Sequence, residues 1–502
     1  MKPFRLLLIA ALSLVCALPL RAEDFEIRAM HIDMRSEVMT MPALRQLALK
    51  ASRNGINALI MEWEASFPFQ KHATLRNAYA FTPGEVRDFV SYCSSLGIDV
   101  IPLQNCFGHA EYILRHPRYN HIREDRKEIS QVCPSKEDEC IEVFSEIFAE
   151  IAALHPSKYF HIGADETYLL GRCKDCAAKA AEFGKSKLFV DYINAMCKIV
   201  KDLGKTPVIW GDILLNYPEC VDELPKDIIV IDWNYGWRPD QFGDLDKIAG
   251  AGITMWGAPA LRSNPDNIYL TDWAKHFNNL STFIPFVRTM GYKGVVETSW
   301  STSGLYGLIL DEGNELMDMQ AIRQVYPLAG FDILQKAFCR AIAQQEPLDW
   351  EAFVDEYGRT EFGLDDTSVL LEYFKHPQRP VDRYPMSVDK IDADLQSCLA
   401  LKGRFDSLRP RAGKKAFKHL QLMLDIRINY LKAKKWEAYY ESPAFDSSKA
   451  PAAKKQLAAI IKECNSLQKR FTALNKDYIK DTTVALGEWS YAGKMKNTYK
   501  TL

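Results

Sequence analysis

The ten residues Lys158-Tyr-Phe-His-Ile-Gly-Ala-Asp-Glu-Thr167 decide how this chain is read. An apolar, strand-like stretch from Tyr159 to Ile162 meets two small residues and then delivers two neighbouring carboxylates, Asp165 and Glu166. Small residues let a strand end abruptly and let a ligand approach the backbone. Two acids side by side cannot both ionise at ordinary cost, so their pKa values separate, which suits acid and base chemistry. For an isolated Asp-Glu pair the alternative is a helix N-terminus, where acids meet the positive end of the helix dipole. The surrounding pattern decides between the two.

From Ile27 to about Val325, short apolar strands alternate with amphipathic helices. The predicted strands are Ile27–Arg35, Ala58–Glu64, Asp99–Cys106, Tyr159–Asp165, Thr206–Asp212, Asp227–Tyr235, Gly252–Pro259 and Gly294–Trp300. Each is rich in β-branched or aromatic residues and gives way to polar, Gly or Pro residues. Between them Met41–Arg53, Pro83–Leu96, Glu139–Leu154 and Leu188–Leu203 repeat apolar residues at intervals of three and four. Gly55 and Gly97 stand where a left-handed cap is expected, and Thr82-Pro-Gly-Glu85 has the form of a capping box. Eight such alternations predict a closed (β/α)8 TIM barrel over residues 23–329. No glycine-rich phosphate loop follows the first strand, as an open dinucleotide-binding sheet would require. Beyond residue 330 strand patterns cease, and long helices, notably Ala416–Tyr440 and Ala452–Leu474, predict an α-helical C-terminal region over 330–502. The Ser, Ala, Lys and Pro-rich stretch Ser442–Lys455 reads as a loop between them.

In a TIM barrel, functional side chains collect at the carboxyl ends of the strands. The chemistry-bearing residues obey that rule. Strand four ends in Asp165-Glu166, strand five in Trp210-Gly-Asp212, and strand six in Trp233-Asn-Tyr235-Gly-Trp237. Strand seven carries Trp256 and strand eight ends at Trp300, while Gly108-His109 follows strand three. A single Trp at a strand end is ordinarily core packing. Several around one rim, with carboxylates between them, match a sugar, which stacks its C–H faces on indoles and hydrogen-bonds through its hydroxyls.

The 502 residues are 47% hydrophobic and 25% charged, an ordinary globular composition, and a net charge of -2 gives no footprint for nucleic acid. Lys2 and Arg5 precede a leucine-rich run to Leu18 and a small residue at Ala22, so residues 1–22 read as a signal peptide and the protein as exported, periplasmic or extracellular. Lipoprotein anchoring at Cys16 is less favoured, because Val15 stands where such sites want a small residue. No later segment reads as a membrane span. Eleven scattered cysteines remain, an odd number that does not describe a disulfide framework. Cys173-Lys-Asp-Cys176 has the spacing of a local disulfide or half a zinc site, and no second pair completes it, so a loop staple or free thiols is the reading and no metal is called. Nothing in the sequence asks for an organic cofactor.

Assembled, these residues resemble glycoside hydrolase family 20, the β-N-acetylhexosaminidases, and in particular its hexosaminidase D-like branch. The family's His-x-Gly-Gly/Ala-Asp-Glu run is matched by His161-Ile-Gly-Ala-Asp-Glu166, its first-strand Arg and Asp by Arg28 and Asp33, and its Gly-His after strand three by Gly108-His109. The resemblance implies an exo-acting, retaining hydrolase that removes terminal N-acetyl-hexosamine from a glycan, with the substrate's own acetamido oxygen attacking C1. By the same resemblance Glu166 is the general acid and base, and Asp165 orients the acetamido group. Arg28 meets the sugar hydroxyls, Trp210, Trp233 and Trp300 wall the acetamido pocket, and Tyr235 bonds the acetamido oxygen. Trp256 lines that pocket or a neighbouring subsite, Asp212 joins the substrate-binding set, and His109 and His161 each position the carboxylates or serve as a buried, hydrogen-bonded structural histidine. Strand three carries Leu103-Gln-Asn-Cys106 in place of the family's acidic motif, which leaves glucosamine against galactosamine preference open. A glycosidase acting on another or modified amino sugar, and a non-catalytic glycan-binding barrel, are the alternatives.

Overall fold

All eight predicted strands form, and they close. In the computed structural model, which describes residues 25–239, 241–301, 325–378, 381, 387–480 and 491–502, they are β1 (Ile27–Asp33), β2 (Ala58–Glu62), β3 (Asp99–Leu103), β4 (Tyr159–His161), β5 (Thr206–Trp210), β6 (Ile229–Trp233), β7 (Thr254–Ala258) and β9 (Gly294–Ser299). A short extra strand, β8 (Ala260–Arg262), extends the rim beside β9. Every ladder is parallel, and β9 pairs with both β7 and β1, with Ile27 opposite Gly294, so no edge is left open. Each ladder stops one to four residues short of its predicted end. Those residues turn out of the sheet to build the carboxyl rim.

Two apolar layers hold this frame. Alternate strand residues point inward, among them Ala29, Ala58, Ile60, Ile101, Val208, Ile231 and Val296, and fill the barrel. Trp256 belongs to this filling: it is 1% exposed, and its ring stands edge-on to Tyr159 at 5.2 Å. The opposite strand faces pack on the surrounding helices. Met41–Arg53 forms over the predicted span, capped by Thr40, and Pro83–Ser95 begins with the expected capping box between Thr82 and Glu85. Gly55 and Gly97 adopt φ of 85° and 74° just past those two helices.

The C-terminal region is helical as expected, with Lys414–Tyr440 and Ala450–Asn475 its longest members. The predicted loop ends at Ala450 rather than Lys455, because Pro451 fits the first helical turn and the alanines and lysines after it favour helix. The helix Asp332–Ala343 pairs Asp332 with Lys50 of the first barrel helix and accepts Arg288 of Trp273–Thr289 at the Ile342 carbonyl, 2.8 Å. It therefore stands between those two helices, where the last helix of the barrel belongs. The tail also reaches the rim. Lys480 N–H donates to Val38 O at 2.8 Å, Thr40 N–H donates to Tyr478 O at 2.9 Å, and Tyr269 stacks on Tyr430 at 3.7 Å. Among the described residues no helix is long and apolar enough to cross a membrane. The predicted signal peptide, residues 1–22, lies outside the described residues.

One buried ion pair ties these parts together. Arg262 donates to Glu37 Oε2 at 2.6 Å, to the Tyr326 carbonyl at 2.8 Å and to Ser299 Oγ at 2.8 Å, and Leu328 N–H donates to Glu37 Oε1 at 2.9 Å. Both side chains are 1% exposed. Glu37→Ala strands the guanidinium without its carboxylate, and urea unfolding of the variant should show a loss of about 3–5 kcal/mol.

Candidate active site

The chain leaves β4 through an unusual turn. Gly163, Ala164 and Glu166 have φ of 75°, 83° and 50°, and His109, on the loop after β3, has 51°. Left-handed backbone at a residue with a Cβ costs about 1–3 kcal/mol and persists only where the surroundings over-determine it. Here Trp210 N–H donates to Gly163 O at 2.9 Å, and Glu166 N–H donates to Asp212 Oδ2 at 3.1 Å. The acids thus stand on a turn and not at a helix N-terminus, since the next helix begins at Lys174. The β3 and β4 exits also press backbone to backbone. A Cβ on Gly108 would overlap the Asp165 carbonyl oxygen, and one on Gly163 would overlap Asn105 Oδ1.

That close approach brings His109 to both acids. Its Nε2 lies 3.1 Å from Glu166 Oε2 and 3.3 Å from Asp165 Oδ2. Burial opposes a charged imidazole, but the Asp165 charge and hydrogen bonds to both carboxylates outweigh it and push its pKa well above 6.5. Glu166 is held below its usual value, chiefly by the hydrogen bond from His109, against the opposing effect of burial. Tyr168 donates its hydroxyl to Glu166 Oε1 at 3.0 Å. Behind the pair, Asp212 accepts the Trp233 indole N–H on Oδ1 at 3.2 Å while holding Glu166 N–H on Oδ2. Burial first, and then the Asp165 charge, raise the Asp212 carboxyl to about 7.

Across the cleft stands the guanidinium of Arg35. Its Nε and Nη2 grip Asp33 at 3.1 and 3.0 Å, and its guanidinium lies 5.2 Å from the Trp300 ring centroid. Burial would raise Asp33, yet Arg35, with His31 and the Ser301 N–H, holds it at about 2. Glu62 is fixed on both oxygens, by His31 at 3.0 Å and by Asn105 Nδ2 at 2.8 Å. Trp300 Nε1–H donates to Tyr235 Oη at 2.9 Å, and the Tyr235 phenol also hydrogen-bonds the Thr298 side chain.

The cleft encloses about 510 Å³, within the range of about 300–1,000 Å³ common for small-molecule sites. Of the predicted residues, Asp165, Glu166, His109, Trp210, Trp233, Tyr235 and Trp300 line it, and Asp212 stands directly behind. Three expectations are corrected. Arg28 is at the amino end of β1, where it donates to Gly55 O and Phe25 O. Asp33 lies five positions further along the strand, about 16 Å at roughly 3.3 Å per residue, so Arg28 belongs to the opposite rim. Trp256 points into the barrel filling. His161 is buried beneath Trp210, ring centroids 4.5 Å apart, and its Nδ1 accepts the Gly163 N–H. Burial drives its pKa well below 6.5, so it is a neutral support for the turn. The lining also includes Arg35, Tyr168, Trp237, Phe242 and Lys275. The readable signal for Tyr168 and Trp237 was an aromatic two to four residues past a strand-end acid or indole, and both are exposed, by 70% and 40%.

Acids that share one imidazole beneath a wall of indoles can protonate an ether oxygen while a sugar ring lies on the aromatics. Glycoside hydrolysis is the chemistry that needs both, and the comparisons with known proteins agree. The profile of glycosyl hydrolase family 20, catalytic domain, matches residues 34–299, and the chain belongs to that family. Hexosaminidase D of Bos taurus is 26% identical over 290 residues, covering 54% of this chain and 84% of that one. Hexosaminidase D of Homo sapiens is 24% identical over 306 residues, with 57% of this chain and 62% of that one aligned. A β-N-acetylhexosaminidase structure from Bacteroides fragilis superposes with a TM-score of 0.50 at 17% identity, covering 66% of this chain and 69% of that one, and supports the fold.

Asp212→Asn tests the support behind the acids. One side of the amide must face a donor with a donor, either Glu166 N–H or the Trp233 indole. Soluble, folded variant enzyme should lose roughly 10²-fold in kcat, the scale expected when reacting groups are misplaced by about 1 Å.

Proposed function

We propose that this glycoside hydrolase is an exo-acting, retaining β-N-acetylhexosaminidase working by substrate participation. The observation that carries the proposal is the adjacency of Asp165 and Glu166 on one turn. An enzyme that supplies its own carboxylate nucleophile sets it across the glycosidic bond from the acid, with carboxyl groups about 5–5.5 Å apart, whereas family 20 is an exception to that plan. Neighbouring acids on one side fit a reaction in which the nucleophile arrives with the substrate.

In this reading Glu166 protonates the glycosidic oxygen and later takes a proton from the incoming water. Asp165 holds the acetamido N–H, turning the acetamido oxygen toward C1 and offsetting the positive charge that develops as the oxazolinium ring closes. Tyr235 donates its phenol to that oxygen. Trp210, Trp233 and Trp300 enclose the acetamido methyl, which rewards an N-acyl sugar over a plain hexose. Arg35 takes the part first expected of Arg28, since Asp33 holds its guanidinium at the cleft wall, 5.2 Å from the Trp300 ring centroid. Tyr168 and Trp237, at the exposed mouth, face the remainder of the glycan. The partner is an oligosaccharide or glycan ending in N-acetyl-hexosamine, met after export to the periplasm or exterior.

Purified enzyme should hydrolyse aryl N-acetyl-β-glucosaminides or galactosaminides and leave the aryl β-glucoside nearly untouched. Equal turnover of the glucoside would overturn acetamido participation. Glu166→Gln should lose about 10²–10⁴-fold on natural leaving groups, and recover on leaving groups that depart without a proton. Asp165→Asn should slow every acetamido substrate by at least roughly 10²-fold, whatever the leaving group.

The shared proton sets the pH profile. The last proton of the cluster resides on His109, whose raised pKa keeps it bound as pH climbs past 6.5 and releases it only above that shifted value. The basic limb of kcat/KM should therefore lie above pH 6.5. In His109→Gln the last proton rests on the carboxylates alone, and that limb should move to lower pH.

A further inference from the structure

Three thiols and a carboxylate gather outside the cleft and take no part in the chemistry above. Cys173 and Cys176 flank the start of the helix Lys174–Phe183, at the end of the loop that begins with Asp165 and Glu166. Glu124 and Cys133 come from the connection after β3 that begins with Gly108 and His109. Cys133 Sγ lies 3.6 Å from Cys173 Sγ and 3.5 Å from Cys176 Sγ, and Cys176 Sγ lies 3.1 Å from Glu124 Oε2. All four ligand atoms fall within 4.8 Å of one another. Glu124, Cys133 and Cys176 are buried, and Cys173 is half-buried.

Spacing, charge and orientation each point to a cation here. A tetrahedral centre with Zn–S bonds of about 2.3 Å places its sulfurs about 3.8 Å apart, and a sulfur and a carboxylate oxygen about 3.5 Å apart. The observed separations are close to these. A disulfide needs about 2.05 Å and would join only two of the three sulfurs. Buried carboxylates are paired with a cation or coordinate a metal. Among the described residues no cationic side chain pairs with Glu124, and its neighbour Arg172 turns instead to Asp125 at 2.9 Å. The carboxylate is also aimed. Glu124 Oε1 accepts the backbone N–H groups of Arg172 and Cys173, both at 2.7 Å, which directs Oε2 at the sulfurs. Cys176 N–H donates to Cys173 Sγ at 3.3 Å, and Ser135 Oγ lies 3.1 Å from Cys176 Sγ. Outer contacts of this kind fix ligands in place.

We infer that Glu124, Cys133, Cys173 and Cys176 form a structural zinc site, closed by four protein ligands, that ties the His109 loop to the Asp165-Glu166 loop. Three thiolates select zinc over the oxygen-seeking calcium and magnesium. Binding displaces the thiol protons to solvent and changes no oxidation state. The same two loops are also joined where Leu169 N–H donates to Gln131 Oε1 at 2.8 Å. The site stands whether or not the acetamido reaction is the right one.

The test uses full-length protein without a histidine tag, folded with and without added Zn(II). Native mass spectrometry and elemental analysis should find one zinc per chain. Replacement with Co(II) should give thiolate-to-cobalt charge transfer in the near ultraviolet and the visible bands of a tetrahedral ion. Cys176→Ser should abolish both signals. Should that variant fail to fold, Glu124→Gln keeps all three sulfurs and should weaken zinc retention in a chelator competition by at least about tenfold. Cys339→Ser, on another helix, should keep the metal. Chelation should lower the melting temperature of the wild type and leave that of Cys176→Ser unchanged. Absence of bound zinc, zinc that persists in both Cys176→Ser and Glu124→Gln, or a mass lower by two hydrogens that maps to a disulfide among these cysteines would each overturn the assignment.

Discussion

One imidazole held between two carboxylates is the constraint on which the carboxyl rim depends. Asp165 and Glu166 are adjacent in the chain and their side chains reach one nitrogen, an arrangement that charge repulsion alone would splay apart. The positive charge on His109 offsets that repulsion, and it requires the loop after β3 to lie directly on the turn after β4. Hence there is no room for a side chain at Gly108, and hence the left-handed backbone at His109 and Glu166. The strain at those residues is supported by fixed partners: Asp212 on the Glu166 N–H, and the Trp210 N–H on Gly163 O.

The rest of the cleft is rigid for a related reason. Several of its polar groups are engaged by protein before any ligand arrives, while Asp165 Oδ1 is buried without a hydrogen-bond partner among the described residues. Asp33 holds Arg35, His31 and Asn105 hold Glu62, and the Trp233 and Trp300 indoles donate to Asp212 and Tyr235. Orientation is settled in the folded state, so a bound sugar loses little to the ordering of its surroundings. Preorganised polar groups of this kind matter most where charge develops during reaction.

The frame was readable because it rests on local periodicity. All eight strands and the helix caps at Thr82, Gly55 and Gly97 are written in short-range pattern. The paired acids were readable because small residues before a charged pair mark a strand exit. What escaped the reading depended on which end of a strand a residue occupies, and on contacts between distant segments. Arg28 and Arg35 bracket the same strand, and only the register shows that the second is at the productive rim. Trp256 stops short of the rim and so packs inward, while Trp210, at the very end of β5, reaches the cleft. Cys173 and Cys176 alone were half of a ligand set. Cys133 and Glu124 lie 40 or more residues earlier, with no spacing rule to link them.

The tail after the barrel shapes more than the outline of the molecule. Residues 478–480 splint the segment Val38–Thr40, a few positions beyond Arg35, and Lys480 also reaches the Tyr79 carbonyl at 2.8 Å. Tyr430 braces Tyr269, which follows the Ser263-Asn-Pro265 wall of the cleft. The helices therefore act as an external brace on two of the loops that wall the cleft. Swapping this appendage for another would remove those braces without altering Asp165 or Glu166.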